Sequence, residues 1–474
     1  EISIIETFQH TPDLLHFRGK WQAVYDGIAR ASDVLILVEK AKDMTAAEKT
    51  AVIAQARFLR GHYHFEAKKM FNMVPYIDEK TYNPNDANST KLPNDKDIWP
   101  NIVEDLKFGY DNLPARWSGF PGRATKWGSG ALLAKAYLFQ NKYAEAKTIL
   151  EAIVASGQYR LVDKYHDNHR AVTNNNAESI LEVQFSVNDG AGTGRNGNRG
   201  HTLNYPYGGG ALTTCCGFFQ PTQNLVNAHK TDATGLPMLD TFNAVDVPAE
   251  NSVAYTGNLD PRLDWSVGRT GVPYLDWGIH NAGYIRDPAY AGLYSPKKQS
   301  PYKSENGSLT WSNNPRQNAN NYRMIRYSHV LLWLAECEVE VGDLNKARAL
   351  VNQIRRRAAN PDGFVRLADG KPAGNYVVNE YTASWTDKEL ARKAVRFEQR
   401  LEFAMEGHRY FDLVRWGIVD QTLNTYLTVE ENKRSYLKGS RFVKGKHEYF
   451  PIPNQEILNS QLGGKATLKQ NPGY

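Results

Sequence analysis

Residues 331–351, LLWLAECEVEVGDLNKARALV, are the stretch that decides the fold of this chain. Residues 132–150, LLAKAYLFQNKYAEAKTIL, repeat its order of apolar, small and polar positions. In both stretches, two apolar segments at helical spacing flank a short polar turn. Small residues such as Ala335 and Ala347 let two antiparallel helices approach, and larger residues fill the space between them. Each stretch therefore predicts a helical hairpin.

Five positions of the two stretches correspond. Leu133, Ala134, Tyr143, Ala146 and Leu150 match Leu334, Ala335, Leu344, Ala347 and Val351. The hairpins resemble tetratricopeptide-type units, but two clear units at this separation do not form a regular array. We therefore predict a mainly α fold in which helical hairpins pack around one another, with a long insertion between them.

Further helices are predicted in the first half of the chain. Apolar spacing indicates helices over about residues 16–42 and 98–113. The pattern T-x-x-E at Thr45 and Glu48 predicts a capping box at the start of another helix, which ends near Asn72. The residues expected on the inner face of that helix are Val52, Ala56, Leu59, Tyr63 and Met70.

The C-terminal part returns to helix and carries a charged cluster. A second T-x-x-E pattern, at Thr386 and Glu389, predicts a capping box and a helix from Asp387 to Glu406. Charges of both signs alternate along this helix and beyond Gly407. The cluster consists of Glu398, Arg400, Glu406, Arg409, Asp412 and Arg415. We interpret it as a structural ion-pair network that fixes the turn after Gly407, because arginine forks suit carboxylates.

Composition excludes several classes of protein. Hydrophobic residues make up 41% of the 474 residues and charged residues 23%, which is ordinary for a globular chain. Lys and Arg number 57 against 51 Asp and Glu, a net charge of +6 that is weak at this length. No basic stripe is present, so no nucleic-acid partner is expected. The densest basic run, residues 355–357, is interpreted as a solvated helix face.

No apolar run reaches the roughly 20 residues that span a bilayer. The N-terminal residues lack the pattern of a signal peptide, so the protein is either cytosolic or made with a leader that precedes these residues. Of the three cysteines, Cys337 lies in an apolar helical run and is expected in the core. Cys215 and Cys216 are adjacent in the sequence. They either form a strained disulfide bond or stay as two free thiols, and the sequence does not distinguish these alternatives.

The insertion, residues 158–321, differs in composition from the helical parts. A strand is predicted over residues 179–187, followed by a Gly- and Asn-rich stretch. Residues 255–322 contain ten Tyr or Trp and no Phe, although the chain has 18 Phe elsewhere. Aromatic residues that all bear a polar group indicate partly wet surfaces. The ten are Tyr255, Trp265, Tyr274, Trp277, Tyr284, Tyr290, Tyr294, Tyr302, Trp311 and Tyr322.

Catalytic and cofactor motifs are mostly rejected. Residues 192–197 match G-x-G-x-x-G, but no phosphate-binding helix can follow them. His62 and His64 lie on different helix faces, so neither a metal site nor any cofactor is predicted. Paired carboxylates are harder to reject, because glycosidases need only a suitable separation in space. Asp260, Asp264 and Asp276 keep a glycoside hydrolase open as a less favoured alternative.

Several segments together resemble the SusD/RagB family. They are QARFLRGHYHFEAKKMFNMVPYID, NIVEDLKFGYDNLP, RYSHVLLWLAECEVEVGD, VRFEQRLEFAMEGHRYFDLVRWG, PIPNQEIL and QNPGY. They occur in the order typical of that family and span nearly the whole chain. The family's lipid-bearing N-terminal cysteine is not among these residues, so the anchor is expected to precede them.

The resemblance implies a SusD-like fold and a role in nutrient uptake. It implies one domain over residues 1–474, in which residues 1–157 and 322–474 form the helical-hairpin scaffold. Residues 158–321 would form a variable, loop-rich and partly β flank with the ligand site. The implied protein is a lipid-anchored, surface-exposed outer-membrane lipoprotein that binds an oligosaccharide, is not an enzyme, and delivers cargo to a SusC-like TonB-dependent transporter. A RagB-like peptide-binding protein is the alternative within the same system.

The ligand-binding residues are predicted from composition and position. A sugar ring presents C–H faces that stack on aromatic rings and hydroxyl groups that bind polar side chains. The expected stacking platform consists of Trp277, Tyr284, Tyr290, Tyr294 and Trp311, with Asn313 among the hydrogen-bonding residues. The loop after Pro75, with Tyr82, Asn83 and Asn85, is expected to form the opposite wall.

Overall fold

The structure is a computed structural model that describes residues 2–192, 194–201, 205–208 and 217–474. The helices are α1 Ser3–Glu6, α2 Leu15–Lys40, α3 Ala46–Phe71, α4 Trp99–Asn112, α5 Lys126–Leu138, α6 Tyr143–Ala155, α7 Gln223–Ala228, α8 Arg262–Ser266, α9 Pro288–Ala291, α10 Tyr327–Val341, α11 Leu344–Ala358, α12 Lys388–Glu402, α13 Arg409–Arg415, α14 Val419–Glu430 and α15 Asn454–Asn459. The strands are β1 Ser179–Val183, β2 Asn258–Leu259, β3 Val267–Gly268, β4 Ser295–Pro296, β5 Thr310–Trp311, β6 Asn314–Asn318, β7 Tyr322–Arg326, β8 Asn375–Tyr376, β9 Gln461–Leu462 and β10 Lys465–Ala466. Cys215 and Cys216, with both alternatives for their bonding, lie outside the described residues.

The chain forms two compact units. Unit 1 consists of Glu1–Ile149 and Tyr410–Tyr474, and unit 2 consists of Leu150–Arg409. These boundaries differ from the predicted division into a scaffold and a flank, which stays a prediction. Among the described residues, no helix is both long and apolar enough to cross a bilayer. The predicted mainly α fold of helical hairpins with a loop-rich, partly β part is confirmed.

Unit 1 is built on consecutive packed helices. The helix α3 packs against α2 and α4, and α4 packs against α5. The helices α2 and α3 approach closely at Gly27, where an added Cβ would lie 2.4 Å from the ring of Tyr63. The predicted capping box is confirmed, because Thr45 accepts from the N–H of Glu48 and the Glu48 carboxylate accepts from the N–H of Thr45. It fixes the start of α3.

The predicted inner face of α3 is partly wrong. Leu59 is exposed, whereas Phe58, Phe65 and Phe71 are buried. The helix is covered by α2 on one side and α4 on another, so its buried residues do not form a single stripe.

Unit 2 contains the helical hairpin predicted over residues 331–351. The helices α10 and α11 are separated by Gly342 and Asp343, and they pack against each other and against α12. The carboxylate of Asp343 caps α11 by accepting from the N–H groups of Asn345 and Lys346. Cys337 is free and buried, so its predicted place in the core is confirmed.

Two details of α12 differ from the prediction. The cap is Asp387 rather than Thr386, because the Asp387 carboxylate accepts from the N–H groups of Glu389 and Leu390. The helix ends at Glu402 rather than Glu406. The chain turns there because Met405 (φ 64°) and Gly407 (φ 82°) adopt the left-handed conformation, which ends a helix.

The strands of unit 2 are short and pair in twos. Strand β1 ends at Val183, earlier than predicted, and runs antiparallel to β7. The other described pairs in this unit are β2 with β8, β3 with β4, and β5 with β6. Most of the segment between α6 and α10 is therefore held by side chains and turns rather than by a sheet.

Candidate functional site

Three of the ten aromatic residues of segment 255–322 are interior residues. Tyr274, Tyr284 and Tyr294 are each 1% exposed. Their hydroxyl groups donate inside the protein: Tyr274 to the carbonyl of Pro296 (2.5 Å), Tyr284 to the carbonyl of Trp277 (3.2 Å) and Tyr294 to Gln223 Oε1 (3.0 Å). The prediction that Tyr284 and Tyr294 belong to a stacking platform is wrong, because neither ring presents a free face.

The buried rings support an exposed loop. The rings of Tyr274 and Tyr284 lie 5.1 Å apart, and that of His280 lies 4.9 Å from Tyr284. The loop between them carries Trp277, which is half-buried, and Ile279, which is 50% exposed. The buried cluster thus holds a loop whose other side is accessible.

Backbone strain marks this loop. Leu275 has φ 51°, a conformation that is rare for a bulky residue. The next two residues both hold the segment that follows Ser300: Asp276 accepts from the N–H groups of Lys303 (2.5 Å) and Ser304 (2.9 Å), and Trp277 Nε1 donates to the carbonyl of Pro301 (2.9 Å). Strain of this kind persists where surrounding contacts enforce it, commonly at binding sites.

The segment held by Asp276 and Trp277 leads into the β5–β6 hairpin. Trp311, on β5, is half-buried, and Asn313 is exposed in the turn. Asn188 fixes this hairpin, since its Nδ2 donates to the carbonyls of Gly307 (3.1 Å) and Thr310 (3.0 Å). Gly194 lies against the indole, where an added Cβ would be 2.6 Å from Trp311 Cδ2. The loop that carries Asn188 and Gly194 therefore holds the hairpin and packs against the Trp311 side chain.

Tyr290 is the exposed ring nearest in sequence to the supported loop. It lies on α9 and is 39% exposed. Its N–H donates to the carboxylate of Asp287 (3.0 Å), which caps the short helix. Of the five predicted platform residues, Trp277, Tyr290 and Trp311 are thus at least partly accessible.

Sequence reasoning missed two exposed rings that precede Tyr255 in the chain. Tyr207 is 40% exposed, and its N–H donates to the carbonyl of Tyr284 (3.0 Å). Phe219 is 56% exposed and strained, with φ 54°. Both residues precede the Phe-free segment 255–322, which is the only signal that pointed to exposed rings. We call the set Tyr207, Phe219, Trp277, Tyr290 and Trp311 the aromatic loop surface.

The carboxylates considered for hydrolysis have other partners. Asp260 and Asp264 are fully buried and pair with Arg262 (2.7 Å) and Arg269 (2.6 Å). Burial alone would raise the pKa of each carboxyl group, but the adjacent arginine lowers it below its usual value. The pKa of Asp276 is also lowered, because two backbone N–H groups outweigh its partial burial. A glycosidase acid needs a raised pKa, so these residues do not fit that role.

Three carboxylates spaced four residues apart in sequence lie at the centre of unit 2. Glu398 pairs with Arg262 (2.7 Å) and Arg355 (3.0 Å), and Glu406 pairs with Lys298 (2.6 Å). Glu402, between them, pairs with three arginines: Arg262 (3.0 Å), Arg357 (2.5 Å) and Arg326. The interpretation of residues 355–357 as a solvated face is wrong for two of the three, because Arg355 and Arg357 are buried against these carboxylates.

The other members of the charged cluster have separate partners. In unit 2, Arg400 donates to the carbonyl of Asn224 (3.3 Å) and Arg409 to that of Arg396 (3.5 Å). In unit 1, Arg415 pairs with Asp412 (2.9 Å) and lies over the ring of Trp416 at 4.9 Å.

Among the described residues, one group of side chains has ligand atoms close enough together to hold a metal ion. His329, Glu406 and His408 place such atoms within 4.8 Å of one another. His329 Nδ1 accepts from the N–H of Arg326 (3.2 Å), so its proton lies on Nε2, which faces His408 Nε2 at 3.2 Å. A metal-bound histidine instead donates from its second nitrogen. Glu406 is also neutralised by Arg326 and Lys298, so the group fits a hydrogen-bonded cluster better than a metal site.

The remaining predicted residues lie in unit 1. Asn83 Oδ1 accepts from the N–H of Asn85 (3.0 Å), so it stabilises its own exposed turn. Tyr82 is half-buried, and burial together with Asp33 raises the pKa of its hydroxyl. It borders a pocket of about 360 Å³ whose lining includes Trp21 and Tyr25. That this loop faces the aromatic loop surface stays a prediction.

Comparison with known proteins identifies similar chains over the whole length. A family model described as "SusD family" matches residues 177–474, and one described as "Starch-binding associating with outer membrane" matches residues 6–138. A SusD-like protein of Bacteroides ovatus is 25% identical, over 95% of this chain and 78% of that protein. The starch-binding protein SusD of Bacteroides thetaiotaomicron is 25% identical, over 92% of this chain and 75% of that protein.

Solved structures share the fold. Surface glycan-binding protein A from Bacteroides thetaiotaomicron, in complex with laminarihexaose, superposes with a TM-score of 0.64. It is 22% identical, and the match covers 99% of this chain and 88% of that chain.

Proposed function

The chain belongs to the SusD family, and we propose from this that it is a cell-surface binding protein for an oligosaccharide, without enzymatic activity. The observation that carries the proposal is the aromatic loop surface, in which rings stand exposed or half-exposed on loops that buried tyrosines and strained residues hold in place. The names of relatives that bind starch and laminarihexaose support the same class of ligand.

Sugar chemistry suits this surface. The C–H faces of a sugar ring stack on aromatic side chains, and its hydroxyl groups need donors and acceptors nearby. Polar residues interleave with the rings: Asn281, Asp287 and Asn313 are exposed. A rigid loop surface loses little conformational freedom when a flexible oligosaccharide binds.

We also propose that the protein delivers its cargo to a SusC-like TonB-dependent transporter, from a lipid anchor that holds it on the outer membrane. The description of the family model over residues 6–138 supports association with the outer membrane. Family membership supports the transporter as partner.

Replacing a ring of the aromatic loop surface should weaken glycan binding. We expect Trp311→Ala and Tyr290→Ala each to raise the Kd for the best ligand on a glycan array about tenfold, or about 1.4 kcal/mol, because each removes one stacking face. Isothermal titration calorimetry measures the change. Leu390→Ala is the control, since Leu390 is 51% exposed on α12 of unit 2 but is not part of the aromatic loop surface. A Trp311→Ala variant that binds like the parent would remove Trp311 from the site.

The protein should leave its ligand intact. Incubation with laminarihexaose and maltoheptaose should release no new reducing ends, because the buried Asp260 and Asp264 are committed to arginines. Chromatography of the products over a day is the measurement. Shortened oligosaccharides that appear with the protein and not with a heated sample would contradict this and favour a hydrolase.

One groove favours the peptide alternative. It encloses about 950 Å³ in unit 2, between α11 and residues 378–382. Among the described residues, the N–H and C=O groups of Val378 and Glu380 have no hydrogen-bond partner, whereas the N–H groups of Asn379 and Tyr381 donate to Gly235 and Asn352. Free backbone groups at alternate positions can pair with an extended peptide. Peptides on the same array separate the two kinds of cargo.

A further inference from the structure

The pocket beside Tyr82 in unit 1 has the composition of a second binding site. Its volume of about 360 Å³ lies within the usual range for small ligands. One wall is the face of α2 that carries Gln22, Tyr25 and Ala29, which recur at helical spacing. The opposite walls are loop residues 90–92 and the C-terminal helix α15.

Aromatic rings and charged side chains both line the pocket. The rings of Trp21 and Tyr25 lie 4.8 Å apart. The Tyr25 hydroxyl donates its hydrogen to the carbonyl of Pro75 (3.0 Å), so it cannot donate to a ligand, whereas its ring lines the pocket. Lys91 donates once, to the carbonyl of Gln461 (2.9 Å), and keeps further N–H groups for other acceptors. Glu456 also lines the pocket.

The walls are fixed without a ligand. Glu456 Oε1 accepts from Arg18 (3.1 Å) and Gln22 (3.3 Å), which ties α15 to α2. Asn94 ties the loop to the C-terminal segment, because its Nδ2 donates to the carbonyls of Met73 (3.0 Å) and Lys469 (2.9 Å). A preformed pocket spends little free energy on closing around its ligand.

We propose that this pocket is a second carbohydrate site, which takes one or two sugar rings at the end of a chain. The proposal rests on the proposed function, because it assumes a saccharide ligand. The aromatic loop surface is open and suits the middle of a chain. The pocket is bounded by α2, residues 90–92 and α15, and its volume of about 360 Å³ suits a chain end or a free disaccharide. The protein then holds saccharide at two places that differ in the length of ligand they need.

Filling the pocket tests the proposal. Ala29 is half-buried in its wall, so the side chain in Ala29→Phe would occupy the space of the ligand. Ala23→Phe is the matched control, since it makes the same change at an exposed position of the same helix outside the pocket. The probes are laminaribiose, maltose, laminarihexaose and maltoheptaose, titrated by calorimetry, with thermal melts to establish that each variant folds.

We expect at least one disaccharide to bind the parent, and Ala29→Phe to weaken that binding at least tenfold. Ala23→Phe should leave it unchanged. Lys91→Ala, which adds no bulk, should weaken it severalfold, so the test survives if Ala29→Phe fails to fold. Disaccharide binding that is equal in the parent, Ala29→Phe and Lys91→Ala would overturn the pocket proposal alone, as would binding of laminarihexaose or maltoheptaose without either disaccharide. A parent that binds no saccharide on a full glycan array would overturn the proposed function itself.

Discussion

Replacing Glu402 by alanine should lower the free energy of unfolding by about 3–5 kcal/mol, the usual loss when one partner of a buried ion pair is removed. Glu402 is fully buried, and its carboxylate is shared by Arg262, Arg326 and Arg357. Burial alone would raise the pKa of this carboxyl group, but the three arginines lower it well below its usual value, so it is charged. Without it, three buried guanidinium groups face one another with too little negative charge. Urea unfolding at pH 7.5 gives the difference.

An exposed ion pair that involves Arg356, the neighbour of Arg357 on α11, is the control. Glu380 accepts both N–H groups of Arg356 at 2.8 and 2.9 Å, but the pair is open to solvent. Glu380→Ala should therefore change the free energy of unfolding by less than about 1 kcal/mol. If Glu402→Ala were as stable as Glu380→Ala, the buried network would contribute no more than a surface pair.

The sequence predicts one half of this network. The spacing of Glu398 and Glu406 and the alternating charges near Gly407 indicate ion pairs. The partners cannot be predicted in the same way, because Arg262 and Arg326 are 140 and 76 residues from Glu402. The three consecutive arginines at residues 355–357 are wrongly predicted to be solvated for a related reason. Consecutive arginines usually indicate a wet surface, and only the packing of α11 against α12 shows that two of them meet buried carboxylates.

The aromatic segment 255–322 also shows how far composition can predict the exposure of side chains. The absence of Phe from residues 255–322 predicts partly wet rings, and Tyr290 and Trp277 fit this prediction. Tyr284 and Tyr294 do not, because a buried hydroxyl group is also satisfied when a carbonyl or an amide oxygen inside the protein accepts its hydrogen bond. Composition does not distinguish these two environments. Nor does it indicate the strained backbone at Leu275, which depends on contacts with residues 301–304.

Acid should destabilise the protein well before its carboxylates are protonated. Burial lowers the pKa of His64 and His229 to about 4, and that of His201 and His280 to about 3, from an ordinary value of 6.5. Below pH 6.5 the unfolded chain takes up these protons and the folded chain does not. Each histidine therefore lowers the free energy of unfolding by about 1.4 kcal/mol per pH unit between 6.5 and its folded pKa. Urea unfolding should show a loss of several kcal/mol between pH 7.5 and 5.

The surroundings of His64 explain why this histidine stays neutral in the folded protein. Its replacement tests the predicted pH dependence of stability. Its Nδ1 faces the carbonyl of Arg60 (3.0 Å), and its Nε2 accepts from the N–H of Ile77 (3.1 Å), so protonation at Nε2 would break the second bond and charge a fully buried ring. His64→Gln removes one titrating group and should reduce the slope of stability against pH between 6 and 5 by about 1.4 kcal/mol per pH unit. Glu406, whose pKa the adjacent Arg326 and Lys298 lower to about 2 despite its burial, loses its contribution only between pH 4.5 and 2, so it does not interfere in this window. Stability that stays constant from pH 7.5 to 5 would mean that the folded protein accommodates charged histidines, and the hydrogen bond from Ile77 could then not require a neutral His64.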